Sequence, residues 1–312
     1  MVRFLIKRLL LAIPTLLAML TVVFILVRLV PGDPAMAILG DQASAASLAA
    51  LRTRLGLDLP IYQQYLNFLG DVLTGNLGQS LSSGRSVLAE VRQVLPYTLE
   101  LTAAAMLIGA VFGVPLGVLS AVRRNKWQDY LTRLLSLAGL SFPSFVSGIL
   151  MLLAFAVYLR WLPVMSVPTS DPVGHVRNLA LPALNLGLIM AAYMTRVTRS
   201  SMLSVLGEDY IRTARAKGVR PLSLVLRHGL RNALIPIITV VGLYFGTLIG
   251  NSVLTEIVFS RPGLGKLILG ALTARDYTLL QGLMIVFAAF VILVNTVTDL
   301  VYGLVDPRVS YK

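Results

Sequence analysis

Between two long apolar runs the chain reads EDYIRTARAKGVRPLSLVLRHGLRN, which covers residues 208–232. Glu208 and Asp209 begin the first predicted helix, where acidic side chains suit the positive end of the helix dipole. Gly218 supplies the left-handed backbone that ends a helix, and Pro221 can begin a second one because proline is accepted at the first helical position. The segment therefore predicts a helix–turn–helix in an aqueous loop, a shape that suits docking to a partner.

The second of these predicted helices is amphipathic. At 3.6 residues per turn, one of its faces carries Leu222, Val225, Leu226 and Leu230. The basic side chains fall away from that face. A loop that only connected two membrane spans could be shorter and would need no such end signals.

Composition indicates a membrane protein. The 312 residues have a mean hydropathy of +0.81, and 13% of them are charged, against roughly 25% in a soluble domain. Six uncharged stretches are long enough to cross a bilayer, which takes roughly 17 to 25 helical residues. Because lipid cannot pair with backbone groups, the predicted fold is all-α, with six transmembrane helices at residues 9–27, 101–122, 134–159, 178–195, 233–255 and 277–298.

The basic segment resembles the "EAA" loop of membrane subunits in ABC-type importers, in particular that of the dipeptide, oligopeptide and nickel permease family. The family's RTARAKG signature stands at residues 212–218, and further family motifs follow in order along nearly the whole chain. They are PGDP at 31–34, LGLD at 55–58, GNLG at 75–78, RNALIP at 231–236, EIVF at 256–259, PGLG at 262–265 and DPR at 306–308. The chain departs from the pattern at Arg212-Thr213, where importers generally have Glu-Ala, and at Thr278, where the family often has proline.

This resemblance implies a type I importer (MetI-like) permease fold. It also implies that the chain is the pore-forming permease subunit of an ATP-driven importer for peptides or peptide-like solutes. The spacing of the motifs is most similar to that of the glutathione-type branch of the family. The resemblance implies as partners a second homologous permease, two ATP-binding subunits and an extracytoplasmic solute-binding protein. ATP and Mg²⁺ would bind the partner subunits, so no cofactor is expected in this chain. The implied ATPase-coupling residues are Glu208, Asp209, Tyr210, Arg212, Thr213, Ala214, Arg215, Ala216, Lys217 and Gly218.

Lysine and arginine set the predicted orientation in the membrane. Most of them lie near the two termini, after the second span and in the 208–232 segment, so this side is predicted to be cytoplasmic, with both termini facing it. The net charge of +13 is then explained by the orientation of the chain in the membrane, and no nucleic acid partner is expected. The predicted location is a bacterial inner membrane, which the chain crosses several times. The predicted layout has a tail and first helix at 1–30, an outer helical loop at 31–97, a permease core at 98–305 with its coupling loop at 200–232, and a cytoplasmic tail at 306–312.

The predicted outer loop carries helix signals of its own. Residues 45–55 end before a glycine, residues 60–73 begin with proline and carry an apolar stripe, and residues 87–94 follow Ser86, a capping residue. These helices need a surface to pack on. The sequence leaves open whether that surface is the outer face of the transporter, a docking protein or the helices themselves.

The predicted spans contain few polar groups, and these define the candidates for a translocation path. Asn251 is the first choice, because a buried amide must find a partner; an ordinary interhelical hydrogen bond is the alternative. Glu100 and Asp299 stand at the ends of their runs, where each can reach water or an arginine. The full set of path candidates is Ser141, Ser144, Gly246, Gly250, Asn251 and Glu256.

Glycine and proline predict how the spans pack and bend. Glycine recurs every four residues at 109, 113 and 117 and again at 242, 246 and 250, a spacing typical of helices that approach closely. Prolines at 115, 143, 182 and 236 predict bends that open cavities.

Other classes of function have less support. The PGLGK run at 262–266 is no phosphate loop, since Ser260 replaces its first glycine and Leu267 its final Ser or Thr. A secondary carrier is the main alternative, but it usually needs an acid or a histidine near the bilayer centre; a non-transporting membrane scaffold is the second. His175 and His228 are assigned to loops and cannot form a metal site by themselves, and the chain has no cysteine.

Overall fold

A computed structural model describes residues 2–29, 34–39, 43–54 and 56–305 of the chain. Among these residues the regular elements are all helical, so the all-α prediction is confirmed. The helices are α1 (Val2–Leu29), α2 (Pro34–Leu39), α3 (Ala45–Arg54), α4 (Ile61–Leu73), α5 (Val87–Val122), α6 (Trp127–Ser141), α7 (Ser144–Met151), α8 (Pro172–Leu206), α9 (Asp209–Ala216), α10 (Pro221–Ser223), α11 (Arg231–Val258), α12 (Leu264–Thr273) and α13 (Tyr277–Val305). Two π-helical stretches, Leu152–Tyr158 and Leu224–Leu230, follow α7 and α10. The motif residues 31–33 and the tail 306–312 lie outside the described residues.

Within the described chain, four helices are long and apolar enough to cross a membrane, and two bent helix pairs raise the number to six. The four single spans are Leu10–Arg28, Val87–Val122, Pro172–Leu206 and Tyr277–Thr298. They contain the predicted stretches that begin at residues 101, 178 and 277 and all but one residue of the stretch that begins at residue 9. The outer helix predicted at 87–94 is not separate, because α5 runs without interruption from Val87.

The span predicted at 134–159 is broken, which corrects the prediction of one continuous helix. Its two halves, Trp127–Ser141 and Ser144–Tyr158, meet at an angle of 101°. Phe142 is extended, with φ −89° and ψ 130°, because a residue before proline avoids the helical region. Of the four prolines expected to bend helices, Pro143 therefore gives a sharp break, whereas Pro182 lies inside the single helix α8.

The span predicted at 233–255 is bent as well. Residues Pro221–Thr239 and Tyr244–Val258 form an angle of 58°. Helical backbone continues from α10 through the π-helical stretch Leu224–Leu230 into α11, since Leu230 has φ −62° and ψ −41°. The second helix of the 208–232 segment and the fifth predicted span are consequently one bent helical rod.

The described chain forms two compact units, and the larger one is built on Tyr97–Pro262 with the end of α13 from Val294. The predicted close approach of helices is found at Gly109, Gly113, Gly117 and Gly242, but not at Gly250. A Cβ atom on Gly113 in α5 would lie 2.7 Å from the carbonyl oxygen of Ala191 in α8, and one on Gly242 in α11 would overlap Thr298 of α13.

The second unit comprises Ile6–Pro96 and Gly263–Leu293. In it, α4 packs on the C-terminal part of α1: the Tyr65 ring lies 5.0 Å from that of Phe24, and its hydroxyl lies 2.6 Å from Thr21 Oγ1. The predicted helix at 60–73 thus finds part of its support within this chain, while Leu66 stays exposed.

A buried carboxylate holds the loop before α5 to the loop before α13 within the second unit. Asp276 accepts hydrogen bonds from Ser80 Oγ at 2.7 Å, from the N–H and Oγ of Ser82 at 3.0 Å each, and from the N–H of Leu279 at 2.9 Å. Burial raises the pKa of the Asp276 carboxyl, but these hydrogen bonds outweigh burial and hold that pKa below its usual value.

Candidate functional site

The helix α9 has the bounds that its sequence predicts. Glu208 is the residue before its first turn, and Asp209 lies in that turn, so acidic groups stand at the positive end of the helix. The Glu208 side chain makes no capping hydrogen bond, so its contribution there is one of charge. Thr213 Oγ1 donates to the Asp209 carbonyl at 3.0 Å, which satisfies its hydroxyl inside the helix.

The end of α9 is a complete glycine-terminated turn. Gly218 has φ +77°, the left-handed region that the sequence predicts for it. The N–H of Val219 donates to Ala214 at 3.2 Å, and the N–H of Gly218 donates to Arg215 at 3.0 Å, which is the hydrogen-bond pattern of a Schellman motif. The chain then reverses into α10, where Pro221 occupies the first helical position as predicted.

One buried side chain and one hydrogen bond fix α9 to the larger unit. Ile211 is 1% exposed, whereas the rest of the helix is exposed or half-buried. Asn232 Nδ2 donates to the Tyr210 hydroxyl at 2.7 Å, so the start of α9 is tied to the start of α11.

The apolar face predicted for the second helix is wrong in part. Leu222 and Leu226 are 70% and 48% exposed, whereas Leu224, which lies off the predicted face, is 5% exposed. Leu224 and Leu226 lie in the π-helical stretch Leu224–Leu230, where an i→i+5 turn is wider than the 3.6-residue turn on which the prediction rests.

The exposed surface of α9 is basic. Arg212 and Asp209 are paired at 3.2 Å, but their side chains are 75% and 92% exposed, and such a pair contributes little in water. Arg215 and Lys217 are exposed beside it. The coupling residues named from the family resemblance thus form one solvent-facing patch, Glu208, Asp209, Tyr210, Arg212, Thr213, Ala214, Arg215, Ala216, Lys217 and Gly218, of which Ala214 is half-buried.

The path candidates at the α6–α7 break differ in exposure. Ser141 is exposed and donates to the Leu137 carbonyl of its own helix at 2.8 Å. Ser144 is buried, and its carbonyl accepts from Asn185 Nδ2 of α8 at 2.9 Å. Asn185 is buried too and accepts from Ser147 Oγ at 2.7 Å, so an amide that the sequence interpretation overlooked holds the break to α8. Asn185 in the interior of the apolar 178–195 run was the signal that could have revealed it.

The candidates on α11 lie on two different sides of that helix. Gly250 is exposed, and a Cβ atom there would meet nothing within 4 Å. Gly246 and Asn251 are half-buried. Glu256 is fully buried and accepts from Thr98 Oγ1 of α5 at 2.6 Å, so in this structure it ties α11 to α5 and does not face an open surface.

A charged cluster surrounds Glu100 inside α5, where the sequence places Glu100 at the end of the 101–122 run and within reach of water or an arginine. Arg261 Nη2 donates to Glu100 Oε2 at 2.6 Å, and His175 Nε2 contacts the other carboxylate oxygen. His175 belongs to the first turn of α8, which corrects its assignment to a loop, whereas His228 lies in the π-helical stretch of the predicted 208–232 loop segment. The side chain of Asp299 lies outside the described residues.

A buried ion pair at the opposite end of the larger unit was not predicted. Arg199 Nε and Nη2 of α8 donate to the two carboxylate oxygens of Asp129 in α6 at 2.7 and 2.8 Å. Ser120 Oγ at 2.6 Å and the N–H of Asn125 at 2.9 Å complete the shell around Asp129. Both ion-pair partners lie just beyond the uncharged runs, where an aqueous loop was expected to solvate them.

Among the described residues no group of three or more His, Asp or Glu side chains is arranged to hold a metal ion. The geometry thus offers membrane helices with breaks and an exposed helical hairpin joined to one of them. Together these features define a polytopic helical membrane protein.

Comparison with known proteins identifies the family. A family model described as "Binding-protein-dependent transport system inner membrane component" matches residues 113–311, and one for the N-terminal part of such membrane components matches residues 1–102. The glutathione transport system permease protein GsiC of Pectobacterium atrosepticum is 44% identical over 312 residues, 100% of both chains. Its counterparts in Salmonella typhimurium and Escherichia coli K12 are 44% and 42% identical over the same full lengths.

Among solved structures, a chain of the inward-facing MetNI methionine ABC transporter aligns with a TM-score of 0.58 at 21% identity, covering 70% of this chain and 97% of that chain. This likeness shows the type I importer permease fold. The chain belongs to the binding-protein-dependent transport system inner membrane component family and is a pore-forming permease subunit of an ABC importer in the inner membrane. Such a permease works with ATP-binding and solute-binding proteins, and the alternatives of a secondary carrier and a scaffold are set aside.

Proposed function

We propose that this permease imports glutathione or a closely related short peptide. The single observation that supports this cargo is the 42–44% identity to glutathione permeases along the full length of both chains. The similarity extends over the full length of both chains, so it covers the whole permease and not one segment of it. The cargo would be delivered by a solute-binding protein, in which most of the selectivity would lie.

The proposed assembly holds one copy of this chain, a second homologous permease, two ATP-binding subunits and the solute-binding protein. Up to six candidate spans are few for a complete path, which favours a pair of permeases. The exposed face of α11 around Gly250 is a candidate for the contact or for the path between them. ATP and Mg²⁺ would bind the partner subunits, and this chain would not hydrolyse ATP by itself.

The proposed coupling element is α9 with the turn at Gly218. Its basic face is exposed, while Ile211 and the Tyr210–Asn232 hydrogen bond join it to the rod that continues as α11. Docked in a groove of an ATP-binding subunit, α9 would move as a rigid body, and the rod would carry that motion to the membrane. This is a two-state scheme in which ATP biases which face of the path is open.

The proposed path runs along the exposed side of α11 and past the α6–α7 break. Gly246, Gly250 and Asn251 are retained as lining residues, together with Ser141 at the break. Ser144 and Glu256 are buried, so they are proposed to hold the backbone around the path.

The proposed topology puts both termini and α9 in the cytoplasm. Residues 1–30 then form the tail and first helix, 31–97 the outer helical loop, 98–305 the core and 306–312 the tail. The excess of lysine and arginine in the 208–232 segment supports this orientation.

Uptake by the reconstituted complex tests the cargo. The solute-binding protein encoded beside this chain is screened by thermal shift against reduced glutathione, di- and tripeptides and methionine, and the best ligands are then offered in radiolabelled form to proteoliposomes with ATP inside. Glutathione should stabilise the binding protein and accumulate in an ATP-dependent way. Import of an unrelated solute without glutathione or peptides would overturn the proposed cargo and leave the family untouched.

A further inference from the structure

The helices α6 and α8 enclose a groove of about 570 Å³ in the larger unit. Three arginines line it, Arg133 from α6 and Arg196 and Arg199 from α8, together with hydroxyl groups and leucines. The coupling scheme and the path proposed above use none of these side chains. The groove therefore needs an explanation of its own.

The groove carries more positive charge than the protein neutralises. Arg199 is satisfied by Asp129, whose carboxylate is buried and fully used by this pair and its two further hydrogen bonds. The other two guanidinium groups lie over aromatic rings, Arg133 at 5.8 Å from the centre of Tyr130 and Arg196 at 5.6 Å from that of Tyr193. In the part of the chain that the structure describes, neither forms an ion pair with a carboxylate, so two cations face the groove.

The polarity of the groove changes along its length. On α6 the arginine comes first, and Leu134, Leu137 and Leu140 follow toward the α6–α7 break. From Arg133 to Leu140 a helix rises by about 10 Å. Leu134 and Leu137 are exposed, so an apolar wall lies open beside the cationic end.

The two ends of the groove can be assigned relative to the bilayer. The Asp129–Arg199 pair joins the first turns of α6 to the last turns of α8, and both are parts of candidate spans. The arginines therefore lie at the membrane surface on the side of α9, and the leucines reach toward the bilayer centre. A ligand that matches has an anionic head at the surface and an apolar tail directed inward.

We propose that this groove binds an anionic phospholipid, with its phosphate between Arg133 and Arg196 and an acyl chain along Leu134, Leu137 and Leu140. Basic pockets between membrane helices are suited to anionic head groups, because little water is present to screen the charges. The bound lipid would neutralise the two free cations and cover the leucine wall. It would also brace the α6–α8 pair beside the coupling segment.

Native mass spectrometry of the intact transporter tests the proposal. The complex is purified, delipidated and titrated with phosphatidylglycerol or phosphatidylcholine. The test variant is Arg133→Gln with Arg196→Gln, and the matched control is Arg123→Gln with Arg124→Gln, which removes the same charge from exposed positions outside the groove on the same side. Assembly with the ATP-binding subunits and thermal stability are measured on both variants, so that a folding defect is recognised.

In the titration, the wild-type complex and the control should each bind one phosphatidylglycerol molecule at this groove. The test variant should bind it with an affinity about 30-fold lower, because it lacks two arginines that attract the anionic lipid. If the test variant misassembles, single Arg133→Gln and Arg196→Gln variants should each lower the affinity about fivefold. Equal phosphatidylglycerol binding by test variant and control would overturn the proposal. The proposal would also be overturned if the wild type bound phosphatidylcholine as well as phosphatidylglycerol, or if it bound no lipid. Displacement of the lipid by inorganic phosphate would overturn it too, because the ligand would then be a soluble anion.

Discussion

Substitution of Gly218 isolates the turn that ends α9. The residue has φ +77°, and a Cβ atom there would meet nothing within 4 Å, so the cost of a side chain is conformational and not steric. A left-handed backbone costs an ordinary residue about 1–2 kcal/mol, and a β-branched one such as valine lies at the upper end. If this turn must form for α9 to dock, Gly218→Val should lower the docked population about 5- to 30-fold.

Two control substitutions separate the turn from general damage. Gly218→Asn keeps a residue that tolerates the left-handed region, so it should retain most of the activity. Gly270→Val on α12 changes an exposed helical glycine that is also free of neighbours within 4 Å but has no positive φ. Because valine is a slightly better helix former than glycine, this substitution adds a side chain without a conformational cost.

The assay is ATP hydrolysis by the complex in nanodiscs, with and without the loaded solute-binding protein, alongside uptake in proteoliposomes. Gly218→Val should lose uptake and the stimulation of ATP hydrolysis, with membrane insertion intact. Equal uptake and stimulation in wild type and Gly218→Val, at equal expression, would refute the reasoning that this turn governs coupling.

Three further predictions concern packing and charge. Gly113→Ala should destabilise the protein by about 1–3 kcal/mol in detergent thermal unfolding, because its methyl group would lie 2.7 Å from a backbone oxygen of α8. Gly250→Ala meets nothing within 4 Å and should stabilise the protein by up to about 1 kcal/mol, because alanine is a better helix former than glycine. Asp276→Asn should weaken the attachment of its loop by about 1–3 kcal/mol. Because the pKa of Asp276 is lowered in the folded protein, its stabilisation is present above the unfolded pKa and is lost as pH falls through the folded pKa. Protease cleavage of the loop at decreasing pH measures this loss. Arg199→Gln should cost about 3–5 kcal/mol by leaving Asp129 buried without its partner, and adding Asp129→Asn should restore part of that loss.

Each of these predictions has a result that contradicts it. Equal unfolding temperatures for the two glycine variants would mean that α5 and α8 do not approach as closely as the structure has them. Cleavage of the loop that is independent of pH in the wild type would remove Asp276 from the account. A double variant less stable than Arg199→Gln would mean that Asp129 has a favourable role apart from its ion pair.

The sequence predicts the helical class and most of the spans because lipid imposes a simple requirement: a long uncharged run must be a helix. It also predicts the bounds of α9, since acidic residues, Gly218 and Pro221 are local signals that act within one turn. These features depend on neighbours along the chain, and so one sequence suffices to find them.

Other features depend on groups far apart in the chain or on a departure from regular geometry. The sequence predicts only a bend at Pro143, where the structure has a 101° break. Whether a proline bends or breaks a helix depends on what packs around it, and Pro182, by contrast, lies inside the continuous helix α8. The burial of Leu224 and the exposure of Leu226 occur in a π-helical stretch, which a 3.6-residue periodicity does not predict. The Asp129–Arg199 pair joins residues 70 positions apart, and no local pattern indicates such a pairing.

The contact between α9 and an ATP-binding subunit is measured most directly by site-specific cross-linking. The chain has no cysteine, so single cysteines can be introduced without background. Thr213→Cys places a thiol on the exposed surface of α9, and Leu73→Cys places one at the 87% exposed end of α4. In the assembled complex, a short thiol-to-amine cross-linker should join position 213 to an ATP-binding subunit and should leave position 73 unlinked to it. An ATP-binding subunit that is joined to position 73, or that copurifies fully and is never joined to position 213, would contradict the assignment of α9 as the coupling element.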